Sequence, residues 1–86
     1  MRLDKYLKVS RIIKRRTLSK EMAESQRVYV NGKAVKPSYQ VQLGDEITVV
    51  FGRREIVVKV LQLKEHVLKD DSHLMYELIE DRKIEE

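Results

Sequence analysis

The sequence predicts an α+β domain, with two short N-terminal helices packed on a small, mostly antiparallel sheet of four to five strands. Three observations predict it. Apolar residues recur at helical spacing as far as Gln26, strict alternation begins after it, and Asn31-Gly32 follows, the dipeptide that most strongly marks a two-residue hairpin. At 86 residues the chain suits one domain, 1–86. Without cysteine it has neither a disulfide framework nor a thiolate metal site, so hydrophobic burial must hold the fold.

Leu3, Tyr6 and Leu7 have i, i+3, i+4 spacing and form one apolar stripe of a first helix, with Asp4 near its positive end. Arg2, Lys5 and Lys8 lie off that stripe. Thr17 suits the N-cap of a second helix of about ten residues, running through Leu18, Met22 and Ala23 before Arg27. At 100° per residue Arg16 and Lys20 share a face roughly 200° from the one carrying Leu18 and Met22, so one face packs and the other is free.

Val28-Tyr29-Val30, the Asn31-Gly32 turn and Lys33-Ala34-Val35 read as a tight hairpin that Pro37 stops. Gly44-Asp45 turns the chain again. Ile47, Val49 and Phe51 then alternate in a third strand, and Gly52-Arg53 leads into a fourth whose inward set is Ile56, Val58 and Val60. Residues 51–63 are read as a strand extension. The stretch 64–86 comprises a charged loop, a last strand on the alternation of Leu74, Tyr76 and Leu78, and an acidic tail with five acids from Glu77 to Glu86. Leu74, Met75, Leu78 and Ile79 would also suit a helix.

Charge divides the chain. Residues 1–40 carry eleven Lys or Arg against three acids, a net of +8, and residues 41–86 carry seven against eleven, a net of −4. The N-terminal half is therefore expected to meet a polyanion. No apolar leader or run of eighteen apolar residues occurs, so a soluble cytoplasmic protein without a membrane role is expected. His66 and His73 stand alone, and no glycine-rich phosphate loop, nucleophile–base pair or paired-carboxylate cleft can be placed. A binding protein without enzymatic activity, cofactor or metal is expected. Two alternatives are a DNA-binding helix-turn-helix-like protein and an RNA-binding accessory domain of an RNA-modifying enzyme. The sheet and the Val-Asn-Gly hairpin speak against the first, and the second would need a catalytic domain.

Arg2-Leu3-Asp4-Lys5 with Leu7, Arg11, Lys14-Arg15-Arg16-Thr17, Val30-Asn31-Gly32, Lys36-Pro37-Ser38 and Gly44-Asp45-Glu46-Ile47 together resemble the S-four RNA-binding domain, across about residues 1–50. Within that superfamily the opening MRLDKYLKVSRIIKRRTLSKEM is similar to the RqcP-like proteins of bacterial ribosome-associated quality control. The fifteen-kilodalton heat-shock protein is a relative with a longer, basic tail. The resemblance implies an S-four-like fold and a monomeric, ribosome-associated factor. Its implied partners are ribosomal RNA of the large subunit and P-site tRNA, and it would support C-terminal tailing of stalled nascent chains beside a tailing factor. Where that family carries glycine before its first strand, this chain has Ser25-Gln26-Arg27-Val28, so a positive-φ helix end falls on Gln26 or is avoided.

The chemistry of the basic residues agrees with an RNA ligand. Arginine presents a planar fork that pairs two phosphate oxygens or stacks on a base, whereas lysine supplies a compact, flexible charge. Arg2, Arg11, Arg15 and Arg16 on two adjoining helices are expected to grip a folded RNA backbone, with Lys5, Lys14 and Lys20 adding charge. Lys36 joins them through the family motif. Asp4 either favours the helix N-terminus or holds a neighbouring arginine. Tyr6 and Tyr29 fall on presumed packed faces.

Overall fold

The structure is a computed structural model that describes residues 1–84. Helices α1 (Leu3–Val9) and α2 (Arg16–Glu24) precede strands β1 (Val28–Val30), β2 (Lys33–Ala34), β3 (Glu46–Phe51) and β4 (Arg54–Val60). A 3₁₀ helix over Lys69–Met75 then leads into β5 (Tyr76–Lys83). The strands form one antiparallel sheet in the order β2-β1-β3-β4-β5.

The apolar stripe of α1 makes the centre of the core. Leu3, Tyr6 and Leu7 are fully buried with Val28, Val30, Ile47, Val49, Val58 and Val60 from the inward rows of the sheet. The Tyr6 hydroxyl donates 2.7 Å to the Met75 carbonyl, which ties α1 to the segment before β5. Burial, followed by the neighbouring Tyr76, raises that hydroxyl well above the ordinary phenol range, so it stays a neutral donor.

The first hairpin turns as expected, because Asn31 (φ 51°) and Gly32 (φ 84°) both take the left-handed conformation of a type I′ turn. Gln26 adopts φ 59°, so this chain places glutamine at the positive-φ helix exit. Backbone bonds there follow the capping pattern of such an exit, Gln26 N–H to the Ala23 carbonyl (3.1 Å) and Arg27 N–H to the Met22 carbonyl (2.9 Å).

Five local expectations are corrected. Helix α2 begins at Arg16 with Arg15 as N-cap, and Thr17 lies inside the helix without a capping bond. Its buried stripe is Ser19, Met22 and Ala23, which leaves Leu18 44% exposed. That rotation sets Arg16 roughly 65° from the centre of the stripe, at 100° per residue, so Arg16 flanks the packed face where it was expected opposite. Tyr29 belongs to the outward row of β1 and is half-buried, since Val28 and Val30 take the inward positions. The loop expected over 64–72 becomes 3₁₀ helix from Lys69, and that helix continues to Met75, so the last strand runs through Tyr76 and Leu78 while Leu74 remains in the 3₁₀ segment. Glu77, Glu80 and Asp81 lie in β5, where Asp81 pairs with Arg54 and Arg82 with Glu55 across the strands. Glu85 and Glu86 of the acidic tail lie outside the described residues.

Candidate nucleic-acid interface

Asp4 organises the basic face. As the first-turn acid of α1 its carboxylate accepts the Lys5 backbone N–H at 2.8 Å, yet its side chain is only 4% exposed. The Arg2 guanidinium donates to both of its oxygens, Nε at 3.1 Å and Nη2 at 3.3 Å. Arg16 reaches the same carboxylate from α2, Nη2 standing 3.6 Å from Oδ1. Burial by itself would raise the Asp4 carboxyl, but the Arg2 hydrogen bond, the Arg16 charge and the Lys5 N–H outweigh it and hold the group below its ordinary value. One buried anion therefore fixes two guanidiniums that remain about half exposed. Their outward N–H groups are free to meet a second anion, and the buried anion reduces the entropy lost on binding it.

The loop after the first hairpin is tied to the start of α1. Leu3 N–H donates to the Tyr39 carbonyl (2.8 Å), Asp4 N–H to the Pro37 carbonyl (3.2 Å) and Val41 N–H to the Met1 carbonyl (2.9 Å). Buried Asp45 fastens the other end, accepting from the Tyr39 hydroxyl (2.9 Å), Asn31 Nδ2 (3.1 Å) and the Gln42 N–H (2.9 Å). Held in this way, the loop closes a cleft of about 520 Å³ lined by Arg2, Lys20 and Lys36 with Gln26, Pro37 and Ser38 among others. Among the described residues Glu24 is its one lining carboxylate.

Of the residues singled out in the sequence, Arg2, Lys20 and Lys36 thus line one cleft, and Asp4, which Arg2 binds, draws Arg16 to the same cluster. Lys5 and Arg11 do not join them. Lys5 Nζ binds Glu65 at 2.9 Å, and Arg11 lines a different, smaller pocket. Lys14 and Arg15 are exposed in the link between the helices, which buried Ile13 pins down through its N–H bond to the Leu7 carbonyl (3.0 Å). Gln26 and Asp45 stood out in the sequence only for the helix exit and a turn, and Ser38 only within the family motif; their places in the cleft lining and the Asp45 hub come from the structure. The hub carried a signal in Asn31 and Asp45, turn residues whose side chains can satisfy distant backbone, but nothing in their spacing joins the two turns.

Two short helices and a hairpin loop closing a cationic cleft on a small sheet define a domain class built to present positive charge to a polyanion. The chain belongs to the S4 domain family, whose model matches residues 1–47. Over its whole length it is 49% identical to the RQC P-site tRNA stabilizing factor of Streptococcus pneumoniae, with 98% of that protein covered. It is likewise 48% identical to the factor of the same name from Bacillus subtilis, all of each chain being aligned. Among solved structures, the trimeric Heat Shock Protein 15 of Vibrio cholerae superposes with a TM-score of 0.84 at 30% identity, over 91% of this chain and 80% of that one.

Proposed function

We propose that this chain is a non-enzymatic RNA-binding factor of ribosome-associated quality control. In this reading it acts in the bacterial cytoplasm as a monomer and binds the large ribosomal subunit with peptidyl-tRNA, touching ribosomal RNA and the P-site tRNA. So placed, it supports C-terminal tailing of the stalled chain beside a tailing factor. The observation that carries the reading is the buried Asp4 carboxylate holding Arg2, which lines the cationic cleft, and drawing Arg16 from α2 to the same anion, in a chain similar over its full length to P-site tRNA stabilizing factors.

Arg2, Asp4, Arg16, Lys20 and Lys36 form the principal RNA contact, Asp4 by positioning the arginines. Lys5, Lys14 and Arg15 add charge around it. RNA's deep major groove hides base edges from side chains, so these residues engage phosphate and shape rather than sequence. A buried carboxylate that orders two arginines supplies bidentate geometry, which a merely solubilising positive surface does not need.

Sedimentation of the tagged protein in a bacterial lysate tests the proposal. It is expected with large subunits and not with intact ribosomes or free protein. Recovery mainly at the top of the gradient at low salt would contradict it. Affinities for structured RNA and duplex DNA, compared at one salt concentration, separate it from a helix-turn-helix reading, which requires the DNA to bind at least as tightly.

A further inference from the structure

A second, smaller pocket of about 160 Å³ lies where α1 ends, between that helix and the 61–68 segment, lined by Lys8, Val9, Arg11, Glu65, His66 and Val67. Three nitrogen-bearing side chains line it, Lys8, Arg11 and His66, and none of them forms an ion pair among the described residues. Its lining carboxylate, Glu65, is already bound to Lys5 Nζ at 2.9 Å, so its charge is met from outside the pocket. Arg11 stands at φ 62°, a left-handed position that a non-glycine residue occupies at a cost, with its N–H bonded to the Lys8 carbonyl at 3.1 Å. The chain thus turns immediately after α1, at a residue whose guanidinium has no ion-pair partner among the described residues.

We infer that this pocket is a second phosphate site, taking one phosphate of the same RNA whose backbone meets Arg2 and Arg16. The inference rests on the RNA-binding reading for its ligand. An arginine fork, a lysine and an imidazole around a small polar hollow suit a tetrahedral oxyanion better than a flat or apolar group. The step from Arg2 to Lys8 spans roughly 9 Å along α1 at 1.5 Å per residue, so one folded RNA can occupy both sites. The separation also explains why Arg11 stands apart from the Arg2–Asp4–Arg16 cluster.

Arg11→Gly tests the pocket without endangering the fold, because glycine accepts the positive φ freely and the variant should melt no lower than the intact chain. The ¹⁵N-labelled full chain is titrated with inorganic phosphate, sodium chloride at equal ionic strength serving as reference, while the Arg11 Nε–H and His66 ring signals are followed by NMR. Saturating shifts at both residues are expected, and they should persist in Arg16→Ala. Arg11→Gly should abolish the His66 response, weaken tRNA binding by about tenfold and lower the salt slope by about one. Linear drift identical to that in chloride, or Arg11→Gly binding tRNA like the intact chain, would overturn this pocket alone. Unchanged tRNA binding by Arg16→Ala would instead count against the principal RNA reading, so the two failures are distinguishable.

Discussion

The carboxylate of Asp4, buried in the first turn of α1, lies 3.6 Å from the guanidinium of Arg16 on α2. Two helices that present positive charge outward are thus joined at their exposed edge by one negative charge. Arg2 shares that carboxylate through a two-point fork.

Arg16 should therefore matter for binding more than for folding. Its side chain is half exposed and its distance to Asp4 is long for a hydrogen bond, so Arg16→Ala is expected to change stability by about 0.5 kcal/mol or less. RNA affinity should fall and its salt slope decrease by about one. Lys59→Ala, the same loss of charge on an exposed position of β4, is the control and should bind nearly as the intact chain does. Thermal unfolding and RNA titrations at several salt concentrations check both variants.

Acid should dissolve the Asp4 centre at a predictable point. Burial raises this carboxyl, but Arg2, Arg16 and the Lys5 N–H together leave it below its ordinary 3.8. A carboxyl with a depressed folded-state pKa contributes stability that is fully present above its unfolded value and is lost as pH falls through the lower folded one. The difference in melting temperature between the intact chain and Asp4→Asn should be constant near neutrality and shrink below about pH 3.8. Melts between pH 7 and about 2.5 would show it. Glu65 and Asp81 are also depressed, by their Lys5 and Arg54 partners, but both variants share them and the comparison isolates Asp4.

Removing the Asp45 carboxylate should loosen the loop that carries Lys36. Asp45→Ala strands the Tyr39 hydroxyl, the Asn31 amide and the Gln42 N–H, and should cost on the order of 2–3 kcal/mol. Urea unfolding gives the cost. Faster amide exchange confined to 36–45 would show that the loss falls on the cleft wall, whereas uniform exchange would contradict the assignment of Asp45 to that loop.

Gln26→Gly should stabilise the chain by about 0.5–1 kcal/mol, because glycine adopts the left-handed conformation that glutamine occupies at φ 59°. The glutamine side chain lines the cleft, so RNA affinity is measured alongside thermal stability. A gain in stability with weaker binding would mean that Gln26 contacts the ligand.

The elements were legible because their signals are local. The Leu3/Tyr6/Leu7 stripe, the Asn31-Gly32 turn and the alternation of Ile47, Val49 and Phe51 each depend on residues a few positions apart. The rotation of α2 was not legible, since Leu18 and Met22 fit a packed face as well as Ser19, Met22 and Ala23 do, and only contact with α1 decides between them. That contact also turns Arg16 toward Asp4. Lys5 and Arg11 left the main cluster for a comparable reason, because the 61–68 segment that faces them lies some sixty residues away in the chain. The orienting role of Asp4 was one of two readings open to the sequence, and the structure supplies both that role and a place in the first turn.

The affinity of folded Asp4→Asn for large ribosomal subunits carrying peptidyl-tRNA tests the central claim most directly. The substitution makes the chain more positive by one charge. If positive charge alone attracted RNA, binding would tighten. The organised arginine pair predicts the opposite, a loss of about five- to tenfold or more as Arg2 and Arg16 lose their common anchor, at a stability cost of about 1 kcal/mol. Asp4→Asn that is folded and binds the subunit as tightly as the intact chain, or more tightly, would contradict the account.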